Sequence, residues 1–534
     1  MESFADDLAQ MQRTPLADEH VEALHRIGEV VTWPAGHVVV APGQPMTRFV
    51  YVLEGSIEIF DQRSGQAYLN AYIGPGQFTG EIAFLNGTAA ANSLRTREPT
   101  RVIVAERPAV LELMGKMPEM SDIIIAVYAA RRRRQIEQGD GSLVLLGPEE
   151  SRDVRWVGSF LSLNKVPYRE ITLDDPEADD FCGGDRRPGL VFGSEPLVEN
   201  PTPEIAARLL GLDQATGSKT DIDVLIVGGG PGGVAAAVYA GAEGLSSMLV
   251  EELAVGGQAG TSSRVENYLG FPTGISGGDL VWRGEIQAMK FGTRVVLPRR
   301  VTSLERQDDG RIHATLSDGT CINAGAVVVA TGVQYRRLPW ARLSDFEGSG
   351  VYYAATENEA RYCAEDTVIV VGGGNSAGQA AMFLRRSANH VHLLVRGASL
   401  AASMSDYLSS RLHADPSITL QFGTEIVGLD GEKHLSAAQI KGPDGAREMP
   451  CRGVFVMVGA APNTTWLSGF LAMDNKGFIM TGKRAGGRSE FETSVPGVFA
   501  VGDVRAGSVK RVASAVGEGS VAISSVWDHV RGVA

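Results

Sequence analysis

The run Val224-Leu225-Ile226-Val227-Gly228-Gly229-Gly230-Pro231-Gly232-Gly233 is an apolar strand that breaks into a glycine turn. Gly228, Gly230 and Gly233 satisfy a G-x-G-x-x-G pattern. The first glycine permits a tight turn, the second lets a pyrophosphate approach the backbone, and the third lets the next helix sit close to the strand. Residues 234–239 continue as that helix, whose free N–H groups and partial positive charge favour phosphate. The next strand, Met248-Leu249-Val250, ends at Glu251. A ribose-binding carboxylate belongs about 20 residues past the turn. Glu252 is the rival, and Glu251 is preferred because it closes the strand.

The pattern recurs at Val368-Ile369-Val370-Val371-Gly372-Gly373-Gly374-Asn375-Ser376-Ala377, with Ala377 in the third glycine position. The strand that follows, His392-Leu393-Leu394-Val395, ends at Arg396 and not at an acid. A guanidinium there suits a 2′-phosphate, so NADPH is expected, with NADH as the alternative. Two such units in one chain predict two Rossmann-like α/β dinucleotide-binding domains.

With these pieces in place, residues 221–534 resemble the low-molecular-weight thioredoxin reductases, FAD/NAD(P)H flavoproteins of the class II pyridine nucleotide-disulfide oxidoreductases. Five strings carry the resemblance: Gly256-Gly257-Gln258; Val265-Glu266-Asn267-Tyr268; Ala330-Thr331-Gly332; the second glycine turn; and Gly497-Val498-Phe499-Ala500-Val501-Gly502-Asp503. The resemblance implies an FAD domain built from both ends of the module, at 216–345 and 466–534, around an NAD(P)H domain at 346–465. It implies FAD contacts at Gly228, Gly230, Gly233, Glu251, Gly257, Gln258, Asn267, Thr331, Gly332, Asp503, Arg511, Val512 and Ala513. For NADPH it implies Gly372, Gly374, Asn375, Ser376, Ala377 and Arg396. It also implies a homodimer.

Two departures stand out. The family carries its redox dithiol in a Cys-Ala-Thr-Cys string before the second turn, and this chain has Ala354-Ala355-Thr356-Glu357. Ala354 and Glu357 therefore stand where the thiols would be, and the sequence names no catalytic residue. Cys363 lies nearby and reads as a packed thiol. After Arg396, the family's further basic residues are replaced by Gly397 and Ala401.

Ahead of this module the sequence changes character. Short apolar runs between about 32 and 110, punctuated by Pro42-Gly43, Glu54-Gly55 and Ser64-Gly65, predict a β jelly roll, followed by a helix at about 118–138. Phe78-x-Gly80-Glu81-Ile82-Ala83 makes residues 1–138 resemble the cyclic-nucleotide-binding domain of catabolite-activator-type proteins. There the glutamate holds the ribose, and an arginine about ten residues later neutralises the phosphate. Here that stretch is Thr88-Ala89-Ala90-Ala91-Asn92. A buried phosphate without a cation is costly, so cyclic-nucleotide binding is not expected. The run Arg131-Arg132-Arg133-Arg134 could be a nucleic-acid patch, and reads better as cations that suit the dipole at a helix C-terminus. Residues 139–215 follow a βαβ…ββα order that resembles the thioredoxin/glutaredoxin fold, with Gly147-Pro148-Glu149-Glu150 in place of Cys-x-x-Cys. Residues 213–221 read as a linker.

Composition narrows the function classes. Two to four domains are expected in 534 residues, and a net charge of −14 argues against a nucleic-acid partner. Cys182, Cys321, Cys363 and Cys451 are too scattered for a disulfide scaffold or structural zinc, so no metal site is expected. No apolar run approaches the ~20 residues of a membrane span, and no apolar leader follows Met1, so a cytoplasmic protein is expected. The expected chemistry is hydride transfer from NADPH to FAD, then electron passage to an external small-molecule or protein acceptor. The alternatives are a flavin-based redox or ligand sensor with little turnover, and a thioredoxin-disulfide reductase using an unusual cysteine.

Overall fold

Each glycine turn closes a strand–turn–helix unit at the carboxyl edge of a separate sheet. The structure is a computed structural model. It describes residues 13–532 except 139–140, 149–150, 183–185, 214–219, 263–264, 266, 336–337, 348, 354, 356, 402 and 433. Most of the expected linker and Ala354 thus lie outside the described residues.

The first unit is strand Thr220–Val227 followed by helix Pro231–Ala242. The strand lies between the parallel strands Ser247–Val250 and Cys321–Val329. Val224 to Val227 are all buried, as an apolar run in a parallel sheet covered on both faces must be. Cys321–Val329 also pairs in parallel with Val498–Ala500, which arrives from the far end of the chain. The C-terminal helix Val512–Arg531 lies on the first helix, where a Cβ at Gly519 would collide with the Gly232 carbonyl.

The second unit, strand Thr367–Val371 and helix Asn375–Leu384, sits in a five-stranded parallel sheet. Its neighbours are Gly453–Val456 and His390–Val395. An antiparallel meander, Glu425–Gly431, Leu435–Gly442 and Gly445–Pro450, covers one side. One antiparallel pair, Val333–Tyr335 with Ala460–Pro462, connects the two α/β bodies. One body is thus inserted into the other.

In front stands a jelly roll of a three-stranded and a four-stranded antiparallel sheet around Val50, Val52, Ile57, Ile73, Leu94 and Val102. Helix Pro118–Gln138 follows. The next unit has strand Leu143–Leu146 parallel to Arg169–Ile171 through helix Arg152–Leu163, and antiparallel to Gly189–Phe192. Both central strands are fully buried. The chain therefore combines a jelly roll, a thioredoxin-like α/β unit and two Rossmann-type domains. Among the described residues no helix is long and apolar enough to cross a membrane.

Candidate functional site

At the first turn Gly228 has φ +104°, and a Cβ there would lie 2.6 Å from the Ala330 carbonyl oxygen. Only glycine suits both constraints. A Cβ at Gly233 would collide with the Gly228 carbonyl, so this glycine serves helix packing. A Cβ at Gly230 would meet nothing nearer than the Gly257 Cα at 4.0 Å, so its face is open. Beneath the turn, Glu251 accepts the N–H groups of Gly229 at 2.7 Å, Glu252 at 2.9 Å and Leu253 at 3.1 Å. Burial raises its carboxyl above the usual range, against those three bonds. Glu252 turns outward toward Arg300 at 3.7 Å.

Asp503 stands across the same space. Burial raises its carboxyl, while Lys510 opposes the shift. Glu518 braces the turn from behind: it accepts the Gly502 N–H at 2.6 Å and pairs with Arg505 at 2.7 Å. Arg511 immediately precedes the C-terminal helix. The Thr331 hydroxyl donates to the Asn463 carbonyl at 3.0 Å, and the Gln258 amide to the Val333 carbonyl at 2.7 Å. Both bonds tie the site to the two-stranded connection.

At the second turn a Cβ on Gly372 would collide with the Met457 carbonyl, whereas one on Gly374 would meet only the Ser403 carbonyl at 3.7 Å. The Ser403 hydroxyl donates to the Gly373 carbonyl at 2.7 Å, and the Ser405 N–H to Asn375 Oδ1 at 2.8 Å. Arg396 is exposed at the strand end.

The two turns open into one cleft of about 2300 Å³. Gly228, Gly230, Glu251, Gly257, Gln258, Asn267, Thr331, Gly332, Asp503, Arg511 and Val512 line it, together with Gly372, Gly374, Asn375, Ser376 and Arg396. Gly233, Ala377 and Ala513 are not in that lining. Lys510, Asn463, Tyr407 and Arg411 line it too, and sequence reasoning missed them. Lys510 adjoins Arg511 and Val512, whereas no motif surrounds Asn463, Tyr407 or Arg411, so only the folded chain could have found those three.

Glu357 opens helix Glu357–Tyr362. Cys363, just beyond it, is 1% exposed, and burial pushes its thiol up to about 12. Cys451 is likewise buried and pushed up to about 12. All four cysteines are free thiols. Among the described residues no group of three His, Cys, Asp or Glu could hold a metal.

In the jelly roll, Glu81 is already engaged. Oε1 accepts the Ala91 N–H at 2.8 Å, and Oε2 pairs with Arg132 at 3.0 Å. The Ala90 N–H donates to the Gln44 carbonyl at 2.9 Å, and the Ala89 N–H to Leu210 at 3.2 Å. Arg131 lies over the Phe78 ring and donates to the Gly80 carbonyl at 2.9 Å. The helix runs on to Gln138 and has no basic residue in its last turn, which corrects the reading of the arginine run as cations at a helix end. Arg133 pairs with Glu137 at 2.9 Å along the helix surface. Arg131 and Arg132 turn inward because Gly80 and Glu81 offer them buried acceptors.

Residues 222–519 match the sequence profile of the pyridine nucleotide-disulphide oxidoreductases, and residues 30–117 that of the cyclic nucleotide-binding domain. The chain is 33% identical over 314 residues to a thioredoxin reductase of Treponema pallidum, covering 58% of this chain and 98% of that one. It is 30% identical over 313 residues to the 34.2 kDa protein in rubredoxin operon of Clostridium pasteurianum, with the same two coverages. It is similar to the solved thioredoxin reductase of Lactococcus lactis in its FR conformation, with TM-score 0.54 and 26% identity over 58% of this chain and 99% of that one.

Proposed function

The chain belongs to the pyridine nucleotide-disulphide oxidoreductase family, as a thioredoxin reductase-like FAD-dependent NAD(P)H oxidoreductase joined to a cyclic nucleotide-binding domain, and from that premise we propose that it passes electrons from NADPH to an external acceptor without an internal dithiol. The observation that carries the proposal is the single cleft shared by both glycine turns, which no cysteine lines among the described residues.

The residues present fit both cofactors. The open faces of Gly230 and Gly374 are cradles that a side chain would fill. Asp503 keeps a desolvated carboxylate on the cleft wall. When bound, FAD and NADPH supply hydride transfer from the nicotinamide to the flavin. In our reading Glu251 accepts a ribose hydroxyl, and the amides at the start of helix Pro231–Ala242 hold the pyrophosphate. Asp503, held in place by the Glu518–Arg505 pair, accepts a ribityl hydroxyl. Arg511 and Val512 border the flavin ring. Asn375 and Ser376 hold the second pyrophosphate, and Arg396 meets the 2′-phosphate.

Thiol–disulfide exchange needs a thiolate and a resolving thiol. Ala354 and Glu357 offer neither, and burial keeps Cys363 protonated. The acceptor class we propose is a quinone, a small disulfide, oxygen or an iron–sulfur protein. We set the exchange between the FAD and NAD(P)H domains at the two-stranded connection, ahead of residue 346, because Leu343 and Phe346 pack with Val351 in the core of the inserted body. We further propose a homodimer.

Stopped-flow mixing with NADPH should reduce the flavin, and an artificial acceptor should sustain turnover. The variant with all four cysteines replaced by serine should behave alike. Thioredoxin reduction by the wild type at about 1 s⁻¹ or more, lost in Cys363→Ser, would overturn the proposal.

A further inference from the structure

The segment after Arg396 is folded back onto the second glycine turn. Leu400 and Met404 are buried, at 2% and 6% exposed, and the Ser403 and Ser405 bonds pin the chain to Gly373 and Asn375. Helix Asp406–Ala414 starts from this anchor. Leu408 and Leu412 face inward, with Leu408 so close to Gly378 that a Cβ there would lie 2.6 Å from it. The helix is therefore firmly seated, and its outward face carries Tyr407 and Arg411 one turn apart.

Both residues line the cleft, as do Arg396 and Ser403. The Arg411 guanidinium donates to the Tyr407 hydroxyl at 2.5 Å and lies 5.3 Å from the centroid of its ring. That stacking fixes a flexible cation in one place. On the same wall, Arg385 is paired with Asp415 at 2.8 Å, and Arg386 lies 6.0 Å from the centroid of the Phe383 ring. Glu425 also lines the cleft. The strand beside Arg396 closes the same corner: the Thr424 N–H donates to the Val395 carbonyl at 3.3 Å.

We propose that Arg411 is a second specificity residue for the 2′-phosphate of NADPH, acting with Arg396 and held in place by Tyr407. The inference rests on the NADPH reading above. It accounts for how a doubly charged group is met where Gly397 and Ala401 supply no further cation. Helix Asp406–Ala414 supplies it instead.

The test is binding of 2′,5′-ADP and 5′-ADP to the flavin-loaded protein by calorimetry, which requires no turnover. The wild type should prefer 2′,5′-ADP. Arg411→Ala should weaken 2′,5′-ADP by about tenfold, the value of one charge-assisted contact. Its affinity for 5′-ADP should change less than twofold. Arg411→Lys should recover part of the loss, and Tyr407→Phe should show an intermediate one. A wild type without preference would overturn both the inference and the NADPH reading. A preference lost in Arg396→Ala but kept in Arg411→Ala would overturn the inference alone.

Discussion

Gly230 shows how one residue can be free in the apoprotein and constrained by its ligand. Its φ is negative, and a side chain would find room in the protein alone. A substitution such as Gly230→Leu should therefore fold, yet it should lose most of its FAD on dialysis, because the side chain would take the pyrophosphate's place. The flavin-to-protein absorbance ratio measures this, and a full ratio would move the site elsewhere. Glu285, on helix Gly277–Lys290, is governed by desolvation instead. Burial pushes its carboxyl up to about 7, with Arg132 pulling the other way. The folded state thus holds this proton more tightly than the unfolded chain does. Its contribution is most favourable below the ordinary carboxylate range and is lost as pH rises toward about 7. Glu285→Gln should be more stable than the wild type at pH 8, by about 1–3 kcal/mol. The difference should vanish near pH 4.5. Chemical denaturation at the two pH values measures it.

Among the elements, helix Pro118–Gln138 differs most from its sequence reading. Its last turns carry Arg132 to Glu81, and the two side chains are 12% and 9% exposed. Tyr128, from the same helix, donates to the Thr79 carbonyl at 3.1 Å and covers Gly80, where a Cβ would collide with it. The helix closes over Gly80 and Glu81. Glu81→Ala should destabilise the jelly roll by about 3 kcal/mol, because the largely buried Arg132 loses its paired carboxylate and keeps the Lys165 carbonyl. Millimolar cAMP or cGMP should leave the melting temperature of the wild type unchanged. Scanning calorimetry reads both outcomes, and stabilisation by either nucleotide would reopen the site as a receptor.

At the scale of the whole molecule the front units and the reductase module share surfaces. Asn86 donates to the Val295 carbonyl at 3.4 Å, Asn164 to Leu253 at 3.1 Å, and Arg299 pairs with both Asp213 and Asp318. The jelly roll and the thioredoxin-like unit are therefore fastened to the FAD-side body. Both units contribute contacts to that body. The reductase module retains both glycine turns with one cleft between them.

The sequence alone determined what depends on neighbouring residues. Strand–turn–helix units follow from runs of Val, Ile and Leu broken by glycines whose backbone angles other residues adopt poorly, and Glu251 and Arg396 follow as the residues that end the next strands. The absence of the dithiol is likewise a matter of letters in a string. Tertiary structure decided what depends on contact between distant segments. Arg131 and Arg132 look like a charged surface in one dimension, and only folding brings them to Gly80 and Glu81, fifty residues away. Arg411 carries no motif, and reaches the cleft because Leu408 and Leu412 seat its helix against the second glycine turn. The chain encodes such meetings through packing, where the partners are set by which apolar faces bury one another and not by their spacing in the sequence.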